Sequence, residues 1–321
     1  MLARTKTTRT EYARLLLPSR AVSGCLFAGI LRDTRGCNFD PQDRFNYYPA
    51  TPMPALHWVF EGDFHQVLPD GDGAQSRLGP RLHRLLVSGP QSLPPASWSQ
   101  GDAHAMALSF YPDALSQLLG FPVATLKDRV LALHEVVAAD NPLLRACETL
   151  FAEMPLPDPF ERFEALLAPL WSGAQAWRPL PMLSDWINGL ASRMAFSSAG
   201  RSLRQLQRQI KLRTGQSMRE LQLYARVEQA WAHYHREAGM QPMNMAQLAA
   251  DSGYADQSHM TREVRRVTGM SPSQLMARMR REEPFWAYRL LGEVIASTAT
   301  PGKGAAVERA WPPGSTAPKG E

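Results

Sequence analysis

Residues 248–262 read Leu248-Ala249-Ala250-Asp251-Ser252-Gly253-Tyr254-Ala255-Asp256-Gln257-Ser258-His259-Met260-Thr261-Arg262, and the chain runs on to Gly269-Met270-Ser271-Pro272. Met245 to Ala250 has the pattern of a short apolar helix, and Gly253 can take the left-handed conformation that closes one. Asp256 is a helix N-cap. After it Met260, Val264 and Val267 recur at helical spacing. Gly269 closes this second helix, and Ser271-Pro272-Ser273-Gln274 opens a third with a capping box and proline at its first position. Two helices joined by so tight a turn make a helix-turn-helix.

The pattern occurs twice. A shift of 54 residues aligns Leu206–Lys211 with Met260–Arg265 and Thr214–Ser217 with Thr268–Ser271. Arg208/Arg262, Thr214/Thr268, Gly215/Gly269, Ser217/Ser271 and Leu221/Leu275 are identical. Helices repeat such identities easily, and the punctuation says more. The first copy opens at Ser202 with Gln205 three residues on, closes at Gly215, and is followed by the capping box Ser217-Met218-Arg219-Glu220. Trp186, Ile187, Leu190, Ala191 and Met194 supply its leading helix, and 196–201 supply its turn. A helix over 217–238, about 30 Å long at 1.5 Å per residue, is expected to join the two units.

Helical register separates core from surface. Leu203, Leu206 and Ile210 share one side of the first capped helix, and Arg204, Gln207, Arg208 and Lys211 another. In the second, Met260, Val264 and Val267 face inward. Ser258, Thr261, Arg262 and Arg265 face outward, with Gln257 at the N-terminal edge. Arg, Gln, Ser and Thr can read base edges in a major groove, and basic side chains lower on each helix would meet phosphates. Most cationic helix faces are merely solvated. Two equivalent stripes, each on the second helix of a capped pair, favour double-stranded DNA as the partner.

Charge and proline divide the chain at the same place. Residues 182–291 hold 16 of the 35 basic and 9 of the 30 acidic residues, so the excess of positive charge lies there. Only 3 of the 26 prolines fall in that segment, while 19 precede it. Because a proline inside a helix costs about 3 kcal/mol, the segment reads as helical. The expected fold class is α+β, in four parts. Residues 1–125 are a β-rich sensor or regulatory domain, with strands such as 55–60, 85–87 and 105–110 between Pro and Gly breakers. Residues 126–181 are a helical connector, 182–290 the all-α double helix-turn-helix domain, and 291–321 a disordered tail without apolar period.

Several function classes find no support. No Gly-x-Ser-x-Gly, His-Glu-x-x-His or Gly-rich phosphate loop occurs, so no catalytic residue is assigned and no enzyme is expected. His57, His65, His83 and His104 are isolated in the β-rich part. His233 and His235 would point to different sides of a helix, so neither metal nor cofactor is expected. Cys25, Cys37 and Cys147 form no Cys-x-x-Cys pair, which also leaves an alkyl-acceptor domain without its zinc partners. Widely spaced cysteines suit a reducing compartment, and neither a signal-peptide core nor a membrane span is seen, so a cytoplasmic protein is expected. Trp58, Phe60, Trp98 and Phe110 are the residues assigned to an effector pocket, with core packing as their alternative. The helices at 112–171 could instead make a homodimer face and leave the β-domain without a ligand.

The stretch 248–262, continued through Gly269-Met270-Ser271-Pro272, resembles the signature of the AraC/XylS family of transcription regulators. The resemblance covers about 184–285, because the Gly-Tyr turn, Asp-Gln-Ser-His, the following Arg and Gly-x-Ser-Pro occur in order. It implies a seven-helix DNA-binding domain, with base contacts from Arg204, Gln207 and Arg208 and from Gln257, Ser258, Thr261 and Arg262. Two positions depart from it: Met260, where the family usually has an aromatic residue, and Glu263, an acid beside the outward stripe. Tyr48-Pro49, Phe110-Tyr111-Pro112 and Leu118-Leu119-Gly120 are similar to the β-rich sensor domains of one AraC subgroup, which implies a cupin-like regulatory domain. The expectation is a sequence-specific DNA-binding regulator controlled by a small effector or by self-association, with RNA polymerase a further partner and no membrane. The alternative is a cupin-like metalloenzyme with an accessory basic helical domain.

Overall fold

The computed structural model describes residues 12–69, 76–173, 182–197, 202–237 and 244–298. Ten strands fall in the first half: β1 Ala13–Leu16, β2 Leu26–Asp33, β3 Phe45–Tyr47, β4 Ala55–Glu61, β5 Phe64–Pro69, β6 Ser76–Arg81, β7 Leu85–Ser88, β8 Ala96–Ser99, β9 His104–Phe110 and β10 Val130–Ala132. The helices are α1 Pro112–Leu119, α2 Pro142–Ala152, α3 Pro159–Leu167, α4 Leu183–Ser197, α5 Leu203–Thr214, α6 Met218–Glu237, α7 Met245–Asp251, α8 Gln257–Thr268, α9 Pro272–Arg281 and α10 Trp286–Thr298.

The strands form two antiparallel sheets, one ordered β1-β2-β9-β4-β7-β10 and one β3-β8-β5-β6. Burial along β9 alternates strictly. Leu108 and Phe110 join a core with Trp58 and with Leu150 and Phe163 of α2 and α3. Ala105, Ala107 and Ser109 line a cavity instead. A strand points successive side chains to opposite faces, so one face of the larger sheet is filled by helices. On the other, β9 carries small side chains that leave space beside Ile30, His57 and Val59 of its neighbours. Asn141 and Asp158 cap α2 and α3 through backbone N–H groups, each followed by proline at the first position.

Two expected boundaries change. The connector is not purely helical: β10, only three residues long, pairs with β7 through Val130, Leu131 and Ala132. It is too short for a period to be read. The expected tail at 291–321 begins inside α10, which runs to Thr298 because the apolar pattern of Trp286–Leu291 continues through Val294 and Ile295. The remainder from 299 lies outside the described residues.

The helical half shares its core with the first half. Trp186, Ile187 and Leu190 of α4, Ile210 of α5, and Leu221 and Ala225 of α6 belong to the cluster built on the larger sheet. A second cluster joins α6, α7 and α8 through Val227, Leu248, Tyr254, Met260, Val264 and Val267, with Ala50 from the sheet region. The Ala50 N–H donates to the Val267 carbonyl at 2.8 Å. Residues 283–290 return to the β-domain: Arg32 of β2 pairs with buried Glu283 at 3.0 Å, and the Trp286 indole N–H donates to Asn46 at 2.8 Å. No described helix is long and apolar enough to cross a membrane.

Candidate nucleic-acid interface

Both α5 and α8 are bounded as their sequences require. The Ser202 N–H donates to Gln205 Oε1 at 3.2 Å at the start of α5, and Asp256 accepts from the His259 N–H at 2.7 Å at the start of α8. Gly215 and Gly269 close them at φ +72° and +78°, the left-handed region open to glycine. Ser217 and Glu220 satisfy one another's N–H groups at the start of α6, and Ser271 and Gln274 do the same for α9. Thr214 and Thr268 repeat one device: each hydroxyl bonds to the carbonyl four residues back and to the carbonyl two residues on.

These boundaries set the faces. Ile210 in α5 is wholly buried, and Met260, Val264 and Val267 in α8 are buried. Arg204, Gln207, Arg208 and Lys211 are exposed on α5. Gln257, Ser258, Arg262 and Arg265 are exposed on α8, and Thr261 is half-buried at the edge of the stripe. The side chain of Leu203, and those of 194–197 in α4, lie outside the described set, as does the turn 198–201. Among the described residues, no carboxylate lies within ion-pair distance of Arg204, Arg208, Lys211, Arg262 or Arg265. α6, 20 residues long, joins the two units. Register reading overlooked Leu212, 53% exposed on the α5 face, and Arg266, whose guanidinium lies 3.5 Å from Glu220 of α6.

Behind α8 lies the cavity. Its volume is about 420 Å³, and its wall is mostly apolar. Ala55, Ala105 and Ala107 of the larger sheet line it, as do Met260, Val264 and Val267 from the inner side of α8. Its polar lining includes His57, Ser88, Arg32 and Glu228. His57 Nε2 lies 2.8 Å from Ser88 Oγ, and burial pulls its pKa down to about 4. Burial pushes Glu228 up to about 8, although it accepts the Leu183 N–H at 2.8 Å. Arg32 stacks over Trp286 at 4.3 Å beside its partner Glu283.

The four aromatic residues assigned to an effector pocket are not gathered there. Trp58 borders the cavity, but its ring packs on Phe163 at 4.7 Å and its N–H points to the Cys147 carbonyl. Phe60 and Phe110 are buried on the helix-covered side. Trp98 sits on β8 and donates to the Pro41 carbonyl at 2.9 Å. Phe60 and Phe110 fill the core face of the sheet, β9 turns small residues to the cavity, and the aromatic residues on the cavity wall include Phe64, Trp231 and Trp286 instead. The alternation Ala105, Ala107, Ser109 was the signal in the sequence. His83 meets His134 at 5.5 Å between ring centroids, and the others lie apart: His65 against the Gly79 carbonyl, His104 against Phe60, His233 near Asp251 and His235 against Trp231.

Two capped helix pairs, each with an exposed cationic stripe on its second helix, define a DNA-binding regulator of transcription. Residues 197–278 match the helix-turn-helix domain family. Among curated proteins, none matches the chain. Solved structures with loosely similar folds are forms of ToxT from Vibrio cholerae. An apo form from strain SCE256 is 10% identical, with 82% of this chain and 98% of that one covered and a TM-score of 0.36. The O395 protein bound to (E)-4-(8-methylnaphthalen-1-yl)but-3-enoic acid is 13% identical over 83% and 98%, with a TM-score of 0.34. The SCE256 protein bound to an unsaturated fatty acid is 12% identical over 72% and 93%, with a TM-score of 0.30.

Proposed function

We propose that this chain reads double-stranded DNA at two successive half-sites, through Arg204, Gln207, Arg208 and Lys211 of α5 and through Gln257, Ser258, Thr261, Arg262 and Arg265 of α8. The observation that carries the reading is the duplicated exposed stripe within the helix-turn-helix match. Arginine forks suit guanine, and glutamine suits adenine. The cavity behind α8 is the effector site. Its wall suits a mostly apolar compound with few polar groups, and its occupant would touch the inner side of a reading helix directly. Such a ligand shifts DNA affinity by as much as its affinity differs between DNA-competent and other arrangements. The protein acts in the cytoplasm, and a second copy and RNA polymerase are its further partners. Sedimentation of the protein on its site, with and without polymerase, tests those two partners.

Selection of binding sites from random duplexes by the full chain tests the reading. The expected outcome is one enriched motif with two half-sites. Arg208→Ala and Arg262→Ala should each lose about 1–3 kcal/mol of discrimination at one position, if that arginine is bidentate to a base. An equal loss on selected and random DNA would assign the arginine to phosphate. Binding without enrichment would sink the reading.

A further inference from the structure

Resting on that reading, we propose that Arg226 and Glu263 are positioning residues that set the roll of the second reading helix. Glu263 follows Arg262 directly and is an acid in a basic helix. It does not project with the stripe. Arg226 of α6 donates Nε–H to Glu263 Oε2 at 3.0 Å and Nη2–H to Oε1 at 2.5 Å. His259, one turn back on α8, lies 3.3 Å from Oε1. The Glu263 side chain is 13% exposed. Two parallel bonds between a planar guanidinium and a planar carboxylate fix direction as well as distance.

A second tie lies one turn further along α8, where Arg266 reaches Glu220 of α6. The charges are crossed: an acid on α8 meets a base on α6, then a base on α8 meets an acid on α6. Met260, Val264 and Val267 set how deeply α8 sits, but apolar contact is non-directional and leaves the helix freer to turn about its axis. A roll of about 30° moves a side-chain tip sideways by about 3 Å at a radius of about 5–6 Å. That displacement equals a hydrogen-bond length, enough to take Arg262 and Arg265 off their partners. In the first copy the aligned residues are Gln209 and the exposed Leu212, so α5 has no such clamp. Ile210, packed in the core of the first half, keys α5 instead.

Bulk electrostatics predicts something different. Losing Arg226 would leave a carboxylate facing phosphates and weaken all DNA binding, and losing Glu263 would strengthen it. Positioning predicts that both losses lower discrimination, and only at the half-site read by α8. The experiment uses the full chain, the duplex selected by the wild type, and versions with either half-site scrambled. Arg262→Ala and Arg208→Ala identify which half-site belongs to which helix. Glu263→Gln and Arg226→Met should each lose about tenfold of the preference for the intact α8 half-site, the cost of one mismatched pair. The preference at the α5 half-site should stay, and the exchanged pair Arg226→Glu with Glu263→Arg should recover most of the loss.

If Glu263→Gln binds every duplex more tightly and keeps the wild-type preference, the clamp is overturned and the DNA reading stands. A wild type without preference overturns both. Should a single variant melt below the assay temperature, the exchanged pair decides: full preference supports the clamp, and lost preference in a folded protein refutes it.

Discussion

At the residue scale, His57 shows how position overrides residue type. A histidine on a β-strand invites a metal reading. Here it is a neutral ring bonded to Ser88 in the wall of an apolar cavity, and burial holds its pKa near 4 against an ordinary value of 6.5. The unfolded chain binds a proton at this ring more readily than the folded one does. Its stabilising contribution is therefore complete above pH 6.5 and is lost as pH falls toward 4. The expected effect is roughly 2–3 kcal/mol across that window. Denaturant titrations of wild type and His57→Gln from pH 7 to 4 check it, and parallel curves for the two proteins would refute it. Glu263 makes the same point from the other direction: its charge set it apart in the sequence, yet only its partner on a distant helix gives it a role.

At the element scale, the helix boundaries were legible because they are local. An N-cap bonds within three residues, and a closing glycine needs only its own φ, so Ser202, Asp256, Ser271, Gly215 and Gly269 could be assigned before any tertiary contact was known. Gly269→Ala should cost about 1–2 kcal/mol, because an L-residue is strained in the left-handed region. At φ +78° the new methyl would also lie 3.4 Å from Pro94 Cγ. Thermal melts measure the cost, and an unchanged melting temperature would show that the turn relaxes. Elements without local punctuation were harder to read. β10 has three residues and no period, and beyond Leu291 the apolar residues of α10, Val294 and Ile295, are too few to set a period by themselves. In β9 the period was visible, but which face was core and which was cavity was not. Alternation fixes two faces without naming them.

At the scale of the whole molecule, the two halves are one mechanical object. The inner side of α8 forms part of the cavity wall, α5 is keyed into the core of the larger sheet, and residues 283–290 return to the sheets through Arg32 and Asn46. On the proposed reading, a ligand in the cavity would press on the inner side of α8, whose Val267 carbonyl is also bonded to Ala50 of the sheet region. Ala107→Phe, which fills space from β9, should abolish stabilisation by mostly apolar ligands and the accompanying change in DNA affinity, while leaving ligand-free DNA binding within a few-fold. Melting curves and DNA titrations with a compound that stabilises the wild type measure both. A variant that still responds would move the effector site elsewhere.

What the amino-acid order determined alone was everything that short-range chemistry enforces: the helix caps and closing turns, the doubled unit with its 54-residue offset, and the outward cationic stripes. Those depend on side chains within about a turn of one another. Tertiary structure alone decided which sheet face stayed hollow, that the chain returns past Glu283 to its own β-domain, and that Glu263 faces Arg226 rather than the groove. These depend on groups tens to hundreds of residues apart, and no periodicity records such a distance.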